Sequence, residues 1–309
     1  MTHALQAAHV RVPCSTSNLG AGFDLIGLAL NRYLTARFEP GDGTLGVVRS
    51  GTLADLSQDE PDLLVTAFRD TVEADGVEAS GTLYVDSEIP IGRGLGSSAT
   101  AVIAGHELGL AALGHPSDPE AAFLAAFRAE GHGDNAAPSA FGGLQAVVNV
   151  ADGPSVLELE LSPEIGFAYA APGTPSSTRE ARAALPAMVS HETAVGALGA
   201  LASLMRGLAQ GDPDLLRSAM DDALHVPYRL PLIPTGAAAI SAGYDAGAWA
   251  VTISGAGSGL IAMASLDQVG DVADAMHAVF AMNGASPGMG FALTPDLDGV
   301  VRLSTPADD

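Results

Sequence analysis

Apolar residues fall into short runs separated by breaks rich in glycine and proline, and those runs set the expected order of elements. Residues 10–12 read as a strand and 33–38 as a second. Gly41-Asp42-Gly43 then reads as a turn, with 45–48 returning as the other arm of a hairpin. From Asp62 to Ala74 the spacing becomes helical, with Leu63, Leu64, Ala67 and Val72 on one side. Residues 82–89 predict a strand with Leu83 and Val85 on one face. Residues 97–113 predict a helix of small residues stopped by Gly114, and 119–130 a helix closed by Gly131. Residues 144–150 read as a buried strand.

Ala151-Asp152-Gly153-Pro154 is the clearest break in the middle of the chain, so the sequence divides into 1–153 and 154–309. Beyond it, 167–171 predict a strand and 192–208 an apolar helix. Asp212-Pro213 opens the next helix with an acidic cap and proline at the first position. Residues 248–253 and 260–264 predict strands. Ser265-Leu266-Asp267-Gln268 has the form of a capping box before a helix reaching about Met282. The C-terminal Asp308-Asp309 is expected to fray. Alternating strands and helices over 309 residues indicate an α/β or α+β protein with two units.

Charge narrows the chemistry. The net charge is −23, and all 13 cationic side chains are arginine. Without lysine there is no Schiff base, no P-loop lysine and no protein-kinase strand lysine. The negative field disfavours nucleic acid and anionic lipid. Any bound phosphate must rely on backbone N–H groups, a metal and a few arginines. Cys14 is the only cysteine, which excludes an intrachain disulfide and reads as a small packed side chain. The start MTHALQAAHVRVP lacks the form of a signal peptide, and no run of about 18 apolar residues exists to span a membrane. A cytoplasmic location is expected.

Four segments carry candidate chemistry. In Pro90-Ile91-Gly92-Arg93-Gly94-Leu95-Gly96-Ser97-Ser98-Ala99-Thr100, three alternate glycines precede a helix start. Such glycines admit positive φ and close approach of a ligand, and the first N–H groups of the helix form an anion site. The paired serines could cap the helix or ligate a phosphate-bound metal. Gly94 to Ala99 also matches G-x-G-x-x-A, which leaves a dinucleotide site open. It lacks the following strand that ends in an acid. Gly41 to Gly46 matches G-x-G-x-x-G but precedes a strand, and so reads as a turn. The second segment, Glu130-Gly131-His132-Gly133-Asp134-Asn135, crowds polar groups at a helix end, although alternate acids and histidine are not a diagnostic metal spacing. His106-Glu107 lacks the second histidine of a zinc-protease motif. The third segment runs from Val12 through Asn18 to Asp24, and the fourth is Ser254-Gly255-Ala256-Gly257-Ser258-Gly259.

Taken in order, these segments resemble the GHMP small-molecule kinases, and within them the homoserine-kinase branch. Val10 to Asp24 is similar to the first family motif, and Pro90 to Ala99 to the second, P-x-x-x-G-L-G-S-S-A. Glu130 to Gly143 is similar to E-G-H-P-D-N-x-A-P-x-x-x-G-G, with Gly133 in place of proline. Thr178 to Pro186 is similar to T-x-x-A-R-x-x-L-P, and His225 to Pro234 to H-x-P-Y-R-x-x-L-I-P. Ser258 and Gly259 replace the last two residues of the third motif, and Leu63 stands where an adenine-binding asparagine is frequent.

The resemblance implies an α+β, two-domain GHMP kinase fold, with a ribosomal-S5-like N-terminal domain and a ferredoxin-like C-terminal domain. It implies an ATP-dependent kinase of threonine biosynthesis that phosphorylates L-homoserine, with Mg2+ as metal and a homodimer as assembly. Pro90 to Thr100 would hold the ATP phosphates, and Ser98 and Glu130 the metal. Asn18, Asp24, His132, Asp134, Asn135, Thr178, Arg182 and Arg229 would surround the acceptor, with Asn135 and Arg182 serving transfer. Asp24 would take the ammonium and the two arginines the carboxylate. Asn135 stands where related kinases often carry an aspartate base. Threonine, mevalonate and shikimate remain alternative acceptors. A non-enzymatic regulator of the same fold is disfavoured by the intact glycine loop and Glu130.

Overall fold

The computed structural model describes residues 4–56, 62–151, 153–283 and 287–304. Strands β1 (Ala8–Asn18) and β2 (Gly22–Pro40) pair antiparallel over most of their length, with irregularities at Pro13/Cys14 and Ser17/Asn18. They are followed by β3 (Gly46–Gly51), α1 (Leu63–Ala74), β4 (Gly81–Ser87), α2 (Ser97–Ala112), α3 (Pro119–Glu130), α4 (Ala136–Phe141), β5 (Leu144–Val150) and β6 (Gly153–Leu159). The second half of β2 pairs with β4, while its first half pairs with β5, which in turn pairs with β6. One long bent strand thus serves two directions of a seven-stranded sheet.

Local sequence explains most of these boundaries. Asp62 caps α1 by accepting from the N–H groups of Leu64 and Val65, and Gly131 closes α3 at φ 79°. Helix α2 is apolar nearly all round and is buried on most sides, as such a helix must be. Its glycines let α1 come close: a Cβ on Gly105 would lie 2.3 Å from the Leu64 carbonyl oxygen.

The expected hairpin at Gly41–Gly43 does not form. Strand β3 pairs in parallel with β4, which is inserted between β3 and β2. The burial patterns account for the order. In β4, Leu83 and Val85 are buried at alternate positions, which suits the interior, whereas no residue of β3 is buried, which suits an edge.

The second unit comprises β7 (Ile165–Ala171), α5 (Thr178–Ala183), α6 (His191–Gln210), α7 (Pro213–Ser218), α8 (Val226–Arg229), α9 (Gly236–Asp245), β8 (Ala250–Ile253), β9 (Leu260–Ser265), α10 (Val269–Asn283) and β10 (Met289–Leu293). Its sheet runs β10-β7-β9-β8, the antiparallel order of a ferredoxin-like unit. Asp212 caps α7 as expected. At Ser265, a hydroxyl contact to the Gln268 amide oxygen stands in place of the full capping box.

At the expected break, β5 and β6 pair antiparallel, with Val150 opposite Gly153. A division at 153/154 would therefore split a paired hairpin; the passage to the second sheet lies between Leu159 and Ile165. Strand β11 (Val301–Arg302) then returns to the edge of the first sheet beside β1. Arg302 anchors it, donating to the fully buried Glu107 carboxylate at 3.0 and 3.1 Å. Removing one partner of such a pair typically costs about 3–5 kcal/mol. Asp308-Asp309 lies outside the described residues. Among the described residues no helix is long and apolar enough to cross a membrane.

Candidate active site

A cleft with a volume of about 330 Å³ runs between the two sheets' loops, lined from Ser17 and Asn18 through the glycine loop to Arg182, Arg229 and Gly255–Gly257. Its floor at one end is the segment between β4 and α2. Gly92, Gly94 and Gly96 all have positive φ, at 64°, 75° and 66°. Each could accept a side chain only with strain, and space forbids it as well: a Cβ on Gly94 would lie 1.9 Å from the Ser254 carbonyl oxygen. Of the two roles open to the serines, capping is not taken up: Gly96 occupies the cap position and there is no side-chain cap hydrogen bond. The first N–H groups and positive dipole end of α2 therefore open to the cleft.

The loop is clamped by the second unit. Ser254 Oγ donates to the Gly94 carbonyl at 2.6 Å and meets Thr16 Oγ1 at 2.9 Å. Asn18 Nδ2 donates to the Gly255 carbonyl at 2.7 Å. Gly259 is needed because a Cβ there would lie 2.4 Å from both the Arg93 carbonyl oxygen and the Tyr169 hydroxyl. The Ser258 hydroxyl donates to the Thr174 carbonyl.

Beside the helix start, Ser98 hydrogen-bonds the Glu130 carboxyl, and burial holds that carboxyl above the ordinary glutamate range. Glu130 Oε2 is buried without a hydrogen-bond partner. A buried oxygen left unpartnered, next to a hydroxyl and an anion-binding helix start, suits a hard cation that prefers oxygen ligands.

At the other end the groups are charged side chains. Asp24, itself at φ 55°, takes both Nη atoms of Arg182 in a fork at 2.9 and 3.0 Å. The hydrogen bond to Asp24 raises the Arg182 pKa. His132 Nδ1 lies 2.5 Å from Asp134 Oδ1. Burial lowers the imidazole pKa, but the Asp134 hydrogen bond and charge, with Glu130, outweigh it and the net shift is upward. Asp24, His132 and Asp134 converge within 4.8 Å. Asn135 donates from Nδ2 to Ser17 Oγ at 3.0 Å and accepts from Ser15 Oγ at 3.1 Å.

Arg229 is 2% exposed, and among the described residues no carboxylate pairs with it. Its Nε and Nη1 donate to the carbonyls of Ala181 and Gly255, and its guanidinium lies over the Phe23 ring. Burial pushes its pKa down, opposed by the charge of Asp24. Phe23 in turn stacks on His225, whose loop is tied by Asp222 accepting the N–H groups of His225 and Val226. A buried arginine without an acidic partner has donor capacity suited to a carboxylate.

Of the expected site residues, Asn18, Asp24, Pro90, Ile91, Gly92, Gly94, Leu95, Gly96, Ser97, Ser98, Glu130, His132, Asp134, Asn135, Thr178, Arg182 and Arg229 line the cleft. Arg93, Ala99 and Thr100 do not. The Arg93 guanidinium is spent on the carbonyls of Pro172, Gly173 and Ile91. Ala99 is fully buried, and the Thr100 hydroxyl donates to the Gly96 carbonyl. Asp24 and Arg182, expected to face opposite charges of a ligand, pair with each other. Cys14 is buried, and burial pushes its thiol up to about 12, consistent with packing alone.

Several cleft residues escaped sequence reasoning. Leu34, Leu53, Leu56, Leu64, Val85 and Ala101 form an apolar pouch beyond the glycine loop, together with the exposed Leu63. They come from five separate segments, so no local pattern reveals them. Ser17 had a signal, since it lies among the hydroxyl residues Ser15-Thr16-Ser17 within the first motif.

Comparison with known proteins agrees with this geometry. The model of the GHMP kinases N terminal domain matches residues 62–143, and that of the GHMP kinases C terminal matches 204–281. The chain is 39% identical to a homoserine kinase of Gloeobacter violaceus, over 86% of this chain and 91% of the relative. It is 38% identical to that of Moorella thermoacetica, over 89% and 93%. The crystal structure of homoserine kinase from Cytophaga hutchinsonii superimposes with a TM-score of 0.84 at 26% identity, covering 96% of this chain and 98% of that one. An L. major mevalonate kinase shares the fold, with a TM-score of 0.66 at 17% identity. The chain belongs to the GHMP kinases and, among them, to the homoserine kinase family.

Proposed function

We propose that this protein transfers the γ-phosphoryl group of ATP to the side-chain hydroxyl of L-homoserine, giving ADP and O-phospho-L-homoserine. The observation that carries the reading is the union, in one cleft, of an uncapped helix start behind three left-handed glycines with Asp24, Arg182 and Arg229. The first suits a polyphosphate; the second suits an amino acid's ammonium and carboxylate.

The N–H groups of the glycine loop and of α2's first turn would hold the phosphates, with the base directed to the apolar pouch around Leu63 and Leu64. Ser98 and Glu130 would hold Mg2+, which when bound neutralises charge on the β- and γ-phosphates. Asp24 would receive the acceptor's ammonium, and Arg182 with the buried Arg229 its carboxylate. Thr178, Asn18, His132 and Asp134 would complete the enclosure.

Asn135 would orient the attacking hydroxyl. Its amide cannot accept a proton as a base, and its hydrogen bonds to Ser15 and Ser17 fix its orientation. Phosphoryl transfer through a loose transition state needs chiefly position and charge stabilisation. The hydroxyl oxygen forms the new bond to phosphorus as the bond to ADP breaks, and its proton passes to the transferred phosphoryl group. A cytoplasmic homodimer belongs to the same reading.

The test is ADP release with Mg-ATP across homoserine, threonine, mevalonate and shikimate. Homoserine should give kcat/KM at least about tenfold above the others. Faster turnover of any of the other three overturns the acceptor, and no turnover with any overturns the reaction.

A further inference from the structure

Asp24 and Arg182 are both assigned to the acceptor, yet they satisfy each other through two parallel hydrogen bonds at 2.9 and 3.0 Å. The pair crosses the cleft: Asp24 lies on β2 in the first unit and Arg182 on α5 in the second. The Asp24 backbone N–H donates to Asn18 Oδ1 at 2.9 Å, which fixes the backbone at this position. Arg229, in contrast, is buried and makes no ion pair among the described residues, but its Nε and Nη1 already donate to the carbonyls of Ala181 and Gly255.

Resting on the reading that the acceptor is L-homoserine, we propose that it enters by exchanging partners with the Asp24–Arg182 ion pair, so that its carboxylate is received only when its ammonium replaces Arg182 on Asp24. The charge arithmetic requires this order of preference. A zwitterion breaks one ion pair and makes two, leaving no charge alone. A ligand with a carboxylate but no ammonium that engages Arg182 must draw it away from Asp24 and leave that half-buried acid beside Asp134 without its counter-charge. Recognition of the amino acid is therefore conjunctive, not the sum of two independent charge contacts. The raised pKa of Arg182, which follows first from its hydrogen bond to Asp24, agrees with a pair that resists separation.

The experiment measures dissociation constants by calorimetry or competition for L-homoserine, 4-hydroxybutanoate, which lacks the ammonium, and propan-1-ol, which lacks both charges. In the wild type, 4-hydroxybutanoate should bind within about threefold of propan-1-ol despite its carboxylate. In Asp24→Asn, where Arg182 is released and no acid is stranded, 4-hydroxybutanoate should bind at least about fivefold tighter than in the wild type, while homoserine weakens at least about tenfold. A gain of affinity cannot come from a damaged site. The proposal is overturned if 4-hydroxybutanoate binds the wild type tenfold or more tighter than propan-1-ol, or if Asp24→Asn weakens both carboxylates alike. Asp24→Ser replaces the amide variant should that one fail to fold, and the wild-type arm needs no variant. Absence of any ATP-dependent phosphorylation of homoserine would refute the acceptor assignment instead.

Discussion

The two ends of the cleft are built from different materials. The phosphate end is nearly all backbone: three glycines at positive φ, an uncapped helix start, and carbonyls clamped by Ser254 and Asn18. The acceptor end is all side chain, with Asp24, Asp134, His132, Arg182 and Arg229 gathered from both units. A chain of net charge −23 without lysine has few cations to place. On the proposed reading, the most highly charged ligand would be left to amide dipoles, and arginines would be placed where a small zwitterion must be told from other alcohols. Backbone sites tolerate little change of shape; side-chain sites tolerate shape but not loss of charge.

Substitutions at the two ends should therefore fail differently. Arg182→Ala should lower kcat/KM for homoserine about 1,000-fold, since it removes a charge-assisted fork and leaves Asp24 unpaired; steady-state kinetics reads it. Gly94→Ala forces a Cβ to 1.9 Å from a backbone oxygen and should displace the loop, costing about 100-fold, chiefly through the KM for ATP. Asn135→Asp should stay within about tenfold of wild type, because the side chain orients and takes no proton. A large gain there would mean that the chain lacks a base it needs. His106→Ala should stay within about threefold, since His106 does not line the cleft. At pH 8 the thiol of Cys14, pushed up to about 12, is almost wholly protonated, so iodoacetamide should leave the folded enzyme unlabelled and active.

The same contrast explains what the sequence could disclose. Glycines before a helix start are contiguous, so the phosphate loop was legible, as were the ends of α1, α3 and α7 from Asp62, Gly131 and Asp212. The contents of that loop were less so: Arg93 reads as a phosphate ligand until its guanidinium is seen on the carbonyls of Pro172 and Gly173. Charged residues at the acceptor end were legible by resemblance, but their mutual pairing was not, because Asp24 and Arg182 lie 158 positions apart. Sheet order was hidden for the same reason. Nothing local near Gly41–Gly43 reveals that β4, some 40 residues later, takes the place beside β2. The return of β11 to the first sheet depends likewise on the distant partners Glu107 and Arg302.

Division of the cleft into a backbone-built phosphate end and a charge-built acceptor end is tested most directly by initial rates of Arg182→Ala with both substrates varied. The KM for homoserine should rise at least about thirtyfold while the KM for Mg-ATP stays within about threefold. An equal rise in both constants would contradict the division.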